Sequence, residues 1–516
     1  MKVKNSLKRV LSIALCAMML LSLVGCGQTE ETPSNQEENT QVTYRDTICF
    51  AQQTITKVFD PTGSNQVDDT ISQYYTHQTL LDMDAEGNVT GDLAESYEYD
   101  EATLTYTFHL KENAVFSDGT PVTAKDVVFS LNRAKESSFS SSRVVAIESM
   151  DAIDEHTVAI HLNQASLDIL SSLAHSQMSI ISEAAMEKDP ENGYTLGSGR
   201  YTIKEYDPDN YIIYEAVENY YDGEVLTKHL KYMKIAEAAS RAMALQSGDI
   251  DLDMYLDKSE AELIKSDPLT DVIEVPATNS FFMQLNPGSP RCPQLADQRV
   301  RQAIAYCINQ EDIILGGQEG FGYVSELYPV VALDTSAYSP CRYETNVEKA
   351  KALMEEAGCA DGFELDCSYL SKYTPVVEVL QAQLAQININ LTTHSTDTTV
   401  RTTEQKEGTF SSNLLTFNNN YAPGTMAIKV FKSDGAAHYV KTEPDAAIDE
   451  LAVKVNKETD IPTRQQLGAE LEKLIADQAC YLPLCGMIDL YGVNTALQGV
   501  YFNNNVVLLD KAFIVE

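Results

Sequence analysis

Residues 106–128 read YTFHLKENAVFSDGTPVTAKDVV and contain three local structure signals in one short stretch. Leu104–Leu110 alternates apolar and polar side chains, which predicts a half-buried strand. The SDGT tetrapeptide that follows predicts a turn, because glycine permits the backbone angles of tight turns. Thr123 and Asp126 predict a capping box at the start of a helix over Ala124–Lys135. A strand, a turn and a capped helix in this order indicate a fold in which both element types interleave.

The same interleaving continues along the chain and predicts an α/β protein. Tyr201–Tyr206 and Tyr211–Val217 flank a Pro-Asp-Asn turn and predict a hairpin. Further strands are predicted at Thr47–Ala51, Phe281–Leu285, Phe363–Tyr369, Ile387–Thr393 and Asn413–Thr416. Further helices are predicted at Ala236–Gln246, Asp297–Cys307, Val347–Ala357 and Arg464–Gln478.

The N-terminus carries an export signal. Lys2, Lys4, Lys8 and Arg9 form a basic region, and an uncharged apolar run follows it over residues 10–24. This run is shorter than the roughly 20 residues that a membrane-spanning helix needs, so it predicts the core of a signal peptide. It ends in Leu-Val-Gly-Cys, which resembles the bacterial lipobox. The resemblance implies cleavage before Cys26 and lipidation of that cysteine.

The next segment, residues 27–43, is acidic and almost free of large apolar side chains, and we expect a disordered tether. The interpretation is a body held by lipid at the outer face of the cell membrane, in an extracellular or periplasmic location. The rival is an ordinary signal peptide with a cysteine there by chance. No later segment reaches the length of a membrane span, so the lipid is the predicted anchor.

Length and charge exclude several classes of protein. The chain has 516 residues, a formal charge of −39 and 44% hydrophobic residues. Its apolar content is enough for a large core, so it is not a wholly disordered chain. The charge repels phosphate backbones, so we expect no nucleic-acid partner. Removal of the basic signal makes the remaining chain still more acidic.

Six ordered motifs together resemble one family, the solute-binding proteins of ABC importers in family 5, which includes oligopeptide-, dipeptide- and nickel-binding members. The resemblance covers about residues 45–516. The motifs are GNV with LAESY (87–97), YTFHLKENAVFSDGTPVTAKDVV (106–128), GSGRY with ENYYDG (197–223), AMALQSGDID (242–251), DQRVRQAIAYCIN (297–309) and EKAKALMEEAGCADG (348–362).

The resemblance implies a periplasmic-binding-protein-like type II (cluster C) fold, with two lobes, an inserted subdomain and a ligand cleft between the lobes. It also implies a membrane-anchored, monomeric protein that captures a peptide or other small solute and delivers it to an ABC permease. No cofactor and no metal are expected. The predicted parts are 1–25 as the lipoprotein signal peptide, 26–43 as the lipidated cysteine and tether, 44–82 with 198–277 and 488–516 as lobe I, 83–197 as the inserted subdomain of lobe I (the insert), and 278–487 as lobe II.

The stretch FNNNY at 417–421 predicts part of the ligand site. In peptide-binding members of the family, a W-x-x-D-Y stretch supplies a carboxylate that holds the α-ammonium group of the ligand. Here Phe417 takes the place of the Trp and Tyr421 keeps the aromatic ring, with Asn418 and Asn419 between them. Asn420 stands where the acid would be, and an amide carries no charge. The hypothesis is that this protein does not rely on an acidic amine anchor: peptides then bind with the amine contacted elsewhere, or the ligand is uncharged or anionic. An ordinary polar turn is the alternative interpretation of these asparagines.

Further cleft candidates follow from their positions in the family fold: Gln52, Gln53 and Thr54 after the first strand, and Asn286 after the strand at 281–285. Cysteine spacing shows neither a zinc site nor a disulfide pattern. Cys292 and Cys341 lie in proline-rich segments and are one candidate pair for a disulfide, against the alternative that most cysteines are small buried residues.

No catalytic residues are predicted, since the sequence lacks the HExxH, GxSxG and phosphate-loop motifs of hydrolases and nucleotide-binding enzymes. Two alternatives to transport stay open. One is a sensor of the same fold whose closed form docks on a signalling partner. The other is a secreted, lipid-anchored hydrolase.

Overall fold

The structure of the protein is a computed structural model that describes residues 43–516 except 85–87, 167, 326–342, 419–425, 441–444 and 504–505. The side chains at 67, 278, 279, 417 and 418 also lie outside the description. Within these limits the protein is mixed α/β, as predicted. No helix among the described residues is long and apolar enough to span a bilayer.

The strands are β1 Thr47–Gln52, β2 Leu81–Met83, β3 Val89–Gly91, β4 Ala94–Asp100, β5 Thr105–Leu110, β6 Ile147–Ala152, β7 Thr157–Leu162, β8 Tyr201–Asp207, β9 Tyr211–Ala216, β10 His229–Lys234, β11 Leu252–Asp253, β12 Thr270–Leu285, β13 Gly322–Tyr323, β14 Phe363–Tyr369, β15 Ile389–Ser395, β16 Ser412–Asn418, β17 Tyr481–Asn494, β18 Tyr501–Asn503 and β19 Val506–Leu508.

The α-helices are α1 Val67–Thr76, α2 Ala124–Glu136, α3 Asp168–Leu173, α4 Glu183–Lys188, α5 Ala238–Ser247, α6 Lys258–Ser266, α7 Gln298–Cys307, α8 Gln310–Asp312, α9 Val347–Glu356, α10 Thr374–Leu384, α11 Thr398–Glu407, α12 Ala446–Lys457 and α13 Ile461–Gln478.

Eleven of the described strands form one mixed sheet in the order β15-β14-β16-β12-β17-β11-β1-β10-β9-β8, with β13 added beside β17. The strands β14, β15 and β16 are parallel at one end of the sheet. At the other end β1 is parallel to β10 and β11. The long antiparallel pair β12–β17 joins these two groups. The resemblance implied such crossing strands between the lobes.

The buried side chains fall into separate clusters. The β12 half that contains Phe281 packs on α7, α10 and the parallel strands of lobe II. A second lobe II cluster gathers around α12 and α13. Lobe I has its own clusters around Phe50 and around Leu245. The insert holds another cluster on the sheet β4-β5-β7-β6. The predicted boundaries between lobes and insert stay a prediction.

Several local predictions are confirmed. The side chain of Thr123 and the carboxylate of Asp126 form a capping box, with Oγ1 of Thr123 donating to Oδ2 of Asp126 at 2.7 Å. The predicted hairpin is β8–β9. Gly248 ends α5 with φ +80°, a left-handed conformation that glycine adopts without steric cost.

The cysteine prediction is corrected in one respect. Cys292 is a free, buried thiol, so the Cys292–Cys341 disulfide is not formed; Cys341 itself lies outside the described residues. Cys307, Cys367, Cys480 and Cys485 are also free and buried. Burial in apolar surroundings raises the pKa of the Cys367 thiol to about 12, which keeps it protonated and unreactive. Five of the seven described cysteines are therefore core side chains, while Cys49 and Cys359 are half-buried.

Candidate functional site

The candidate site lies where β12 and β17 pass from one lobe to the other. Residues 270–276 of β12 pair with 488–494 of β17, and residues 280–284 pair with 481–486. The register shifts between Pro276 and Ser280, and we call this part of the two strands, Pro276–Ser280 with Gly486–Ile488, the strand junction. A bulge bends a strand and increases its twist. The junction is therefore the place where the two lobes change direction relative to each other.

Gln52 and Thr54 approach one carboxylate on the lobe I side. The side-chain amide of the buried Gln52 donates to Oδ1 of Asp68 at 3.2 Å, and the Thr54 hydroxyl donates to Oδ2. The Thr54 carbonyl accepts from the Tyr232 hydroxyl at 3.1 Å. Gln53 lies between them and is exposed. The structure therefore brings two of the three predicted residues together around Asp68, an acid in α1 that the sequence did not single out.

Tyr255 lies beside this group and is held by an ion pair below it. Arg241 and Asp253 pair at 2.9 Å, and both are buried. Arg241 also donates to the Tyr255 carbonyl at 2.8 Å, while the Tyr255 amide donates to Asp253 at 3.1 Å. Burial, and then the charges of Asp68 and Asp489, raise the pKa of the Tyr255 hydroxyl to about 12. Asp68 and Asp489 therefore both lie close to this tyrosine.

Lys258 connects the two lobes. It is the first residue of α6, and its ammonium group donates to Oε1 of Gln318 in lobe II. Burial lowers the pKa of Lys258, because the charged form loses solvation. About two turns further along α6, Lys265 pairs with Glu274 at 2.8 Å and lies 5.1 Å from the centre of the Phe321 ring. Helix α6 of lobe I thus contacts the lobe II segment 318–321 at two points.

Tyr323 covers the junction from the lobe II side. It pairs with Gly486 through the short strand β13. A Cβ atom built on Gly486 would lie 2.1 Å from Cζ of the Tyr323 ring, so no other residue type fits beneath that ring without displacing it. The glycine therefore allows an aromatic side chain to lie flat against the crossing strand.

The predicted FNNNY stretch begins at the junction. The backbone of Phe417 and Asn418 forms the end of β16, where Ser280 pairs with Phe417 and Asn279 with Asn418. Asn419, Asn420 and Tyr421 lie outside the described residues. The register therefore places the start of this stretch beside the strand junction, and the roles of its side chains stay a prediction.

Asn286 has a structural environment. It is fully buried, and its side-chain nitrogen donates to the carbonyls of Gly408 at 3.1 Å and Phe410 at 2.9 Å. Its side-chain oxygen accepts from the Gly288 amide at 3.2 Å. These bonds fix the turn after β12 against the loop before β16. We therefore leave Asn286 out of the proposed ligand contacts.

Arg401 is a further candidate that the sequence did not reveal. It lies in the first turn of α11, and Nη1 donates to the Leu414 carbonyl at 3.0 Å, three residues before Phe417 on β16. Within the described part of the chain its Nε atom has no acceptor and no carboxylate pairs with it. Burial lowers the pKa of this half-buried guanidinium. A desolvated, unpaired arginine is suited to binding a carboxylate.

A cavity formed by lobe II residues lies away from the strand junction. It has a volume of about 380 Å³ and is lined by residues of α7 and α8 with Tyr343 and Pro483. No group of three His, Cys, Asp or Glu side chains in the described residues could hold a metal ion. The candidate contacts therefore consist of hydrogen-bonding, charged and aromatic side chains.

Residues 88–439 match the family of bacterial extracellular solute-binding proteins, family 5. The match covers more than half of the chain and spans both sides of the strand junction. The chain belongs to this family. The prediction of a solute-binding protein rather than an enzyme is thereby confirmed.

Named relatives agree with this family 5 assignment. A putative ABC transporter peptide-binding protein of Brucella ovis is 30% identical over 334 residues, which are 60% of this chain and 61% of the relative. The match thus spans less than two thirds of that relative's length. The probable D,D-dipeptide-binding periplasmic protein of Escherichia coli is 24% identical, with 92% of this chain and 94% of the relative covered.

Solved structures confirm the predicted type II binding-protein fold. HbpA2 from Haemophilus parasuis superimposes with a TM-score of 0.80 at 23% identity, covering 91% of this chain and 100% of the other. At that identity the likeness shows the fold alone. It supports the crossing-strand architecture but not a particular ligand.

Proposed function

We propose that this protein captures a peptide-like solute outside the cell and delivers it to an ABC import permease when its cleft closes. The observation that carries the proposal is the strand junction, where two continuous strands join the lobes and the side chains of Gln52, Thr54, Tyr255, Lys258 and Arg401 lie on either side. A ligand favours the closed arrangement when it binds that arrangement more tightly than the open one. The closed form then presents both lobes to the permease.

The membrane anchor is part of the same proposal. Lipid attached at Cys26, followed by the acidic tether, would hold the body at the outer face of the membrane. A single lipid chain gives only marginal membrane binding, whereas two or more hold a protein stably. Anchoring would keep the monomer close to its permease and raise the effective concentration of the loaded form.

A peptide-like ligand is favoured by two observations. The relatives from Brucella ovis and Escherichia coli are named as binding peptides and D,D-dipeptides. In addition, Arg401 offers an unpaired guanidinium near the end of β16, which suits a ligand carboxylate. We propose that Arg401 binds that carboxylate, with Phe417 to Tyr421 forming the adjoining wall.

The experiment that tests the proposal is mass spectrometry of whatever co-purifies with the protein from native cells. A peptide or peptide-like solute released unmodified by denaturation supports capture, while a converted product would contradict it. Calorimetry with a mixed pool of tri- to hexapeptides then measures affinity for wild type and for Asn420→Asp. A changed affinity in the variant would support the predicted place of position 420 in the site.

Transport and sensing are separated by a genetic measurement. Deletion of the neighbouring permease genes abolishes uptake of the identified solute if this protein supplies the importer. Loss of a signalling response with uptake unchanged would favour the sensor instead.

A further inference from the structure

Asp489 occupies a special position on the crossing strand β17. It pairs with Val275 of β12, one residue from the pair Pro276–Ile488 at which the regular register ends. Its side chain is half-buried. Because residues alternate faces along a strand, Asp489 shares its face with Cys485 and Met487 rather than with Ile488. An acid at this point lies on the lobe I side of the strand junction, where a ligand between the lobes would be enclosed.

The Asp489 carboxylate has no direct bonding partner among the described residues. Neither a hydrogen bond nor an ion pair joins Asp489 to any described group. Lys258 is the one cation whose charge acts on it, and the Lys258 ammonium group donates to Gln318. A half-buried carboxylate without a direct partner keeps acceptor capacity for a cation that a ligand supplies. Burial raises the pKa of Asp489.

The surroundings of Asp489 fit an ammonium group. Tyr255 lies close enough for the Asp489 charge to act on its hydroxyl, and aromatic rings attract cations. The other acid nearby, Asp68, already accepts bonds from Gln52 and Thr54. Of the two acids near Tyr255, Asp489 is therefore the one with free capacity to accept a hydrogen bond from a ligand.

We propose that Asp489 binds the ammonium group of the ligand, so that the amine anchor of this protein lies on crossing strand β17 of lobe I and not in the 417–421 stretch of lobe II. This proposal rests on the proposed capture function and specifies its ligand class, a solute with a primary amine. It revises the hypothesis drawn from Asn420: the acidic anchor is relocated rather than dispensed with.

Closure of the cleft would strengthen the contact. Gln318 and Tyr323 of lobe II lie over the junction beside Lys258 and Gly486. Exclusion of water by these residues lowers the local dielectric constant, which increases the attraction between a carboxylate and an ammonium group. The ammonium group thus has a higher affinity for the closed form, the condition for ligand-driven closure.

The test is calorimetry with two matched probes, a pool of tri- to hexapeptides with free N-termini and the same pool N-acetylated. Wild type binds the free pool, and Asp489→Asn loses at least tenfold in affinity for it. The acetylated pool binds weakly to wild type and equally weakly to the variant. The matched control is Asp271→Asn, which removes an exposed carboxylate from the neighbouring strand β12 and leaves both affinities unchanged.

Other outcomes separate the two proposals. Equal affinity of wild type and Asp489→Asn for the free pool, or equal affinity of wild type for both pools, overturns the amine anchor while capture stands. If neither pool binds, the ligand that co-purifies from cells decides: a ligand without an amine overturns the anchor only, and the absence of any bound solute contradicts capture as well. Circular dichroism and thermal unfolding establish that the variant is folded.

Discussion

Arg464 and Asp168 form an ion pair with 2.5 Å between Nη2 and Oδ1, although 296 residues separate them in the sequence. Arg464 belongs to α13 of lobe II and Asp168 begins α3 of the insert. Their side chains are 4% and 11% exposed. The pair therefore connects the insert with lobe II at a point away from the strand junction, and it closes a second bridge between the two halves of the protein.

Loss of this pair should shift the protein toward an open arrangement. Arg464→Ala leaves Asp168 without its partner in a nearly buried place, at a cost of about 3–5 kcal/mol to any arrangement in which the pair forms. We expect ligand affinity to fall at least about tenfold and the radius of gyration to increase. Small-angle scattering and calorimetry measure these changes. The charge swap Arg464→Asp with Asp168→Arg should restore part of the affinity, and unchanged scattering in Arg464→Ala would contradict the bridge.

Replacement of Cys26 tests the anchor. Cys26→Ala should abolish lipid labelling and move the protein from the membrane fraction to the soluble fraction, because the signal peptide remains but the acceptor thiol is gone. The matched control is Cys16→Ala, which changes a cysteine within the predicted signal peptide and leaves membrane association intact. Membrane association of Cys26→Ala would show that something other than this lipid anchors the chain.

Asp92 predicts a pH-dependent stability. Burial, and then the charge of Asp82, raise the pKa of Asp92 to about 7. A folded-state pKa above the unfolded value stabilises the fold at low pH, and this contribution is lost as pH rises from about 4 to about 7. Over that range the loss amounts to about 4 kcal/mol. Asp92→Asn removes this loss of stability. The free energy of unfolding of the variant, relative to that of wild type, should therefore increase with pH.

His77 changes the free energy of unfolding with pH in the opposite direction, over a similar pH range. Burial lowers its pKa to about 4, so the unfolded chain takes up a proton before the folded chain does as pH falls below 6.5. Urea unfolding at several pH values should therefore show that the free energy of unfolding of Asp92→Asn, relative to wild type, rises between pH 4 and 6.5. A difference between the two proteins that does not vary with pH would contradict the raised pKa of Asp92.

Gly486 and Tyr323 should be coupled. Gly486→Ala brings a methyl group against the Tyr323 ring and should cost about 1–3 kcal/mol of the free energy of unfolding. In the background of Tyr323→Ala the same change should cost little, because the ring is absent. A double-mutant cycle in urea measures the coupling. Additive effects would mean that the ring does not lie on the glycine.

The sequence predicted the local elements well and the crossing strands poorly. The capping box at Thr123 and the β8–β9 hairpin depend on neighbours a few residues away, and both were predictable. Strand β12 was predicted only over 281–285, and β17 was not predicted. Pro276 and Pro483 lie within these strands, and proline normally argues against a sheet interior. Both lie beside register shifts, where the regular pairing that proline disrupts is already interrupted.

The candidate site likewise contains some residues that the sequence pointed to and others that only long-range pairing brings into place. Gln52 and Thr54 were proposed from their positions in the family fold, after the first strand. The structure brings them to Asp68, and their role as ligand contacts stays a prediction. Asp489, Lys258 and Arg401 gave no signal, because no local pattern marks one acid or base among many as lying near the strand junction. Their significance depends on which partners long-range pairing of β12, β16 and β17 places near them.

The chain segments before and after the predicted insert (83–197) meet at one point of lobe I. The Gly199 amide donates to the Thr76 carbonyl at 3.0 Å, and a Cβ on Gly199 would lie 2.5 Å from the carbonyl carbon of Thr76. The segment between them therefore leaves lobe I and returns to it at the same place, and it has its own sheet and core. Related chains could enlarge, shrink or exchange such a module by recombination at this seam without altering the strand junction. Such changes would alter the position of Asp168 relative to Arg464, and with it the contact between the insert and lobe II.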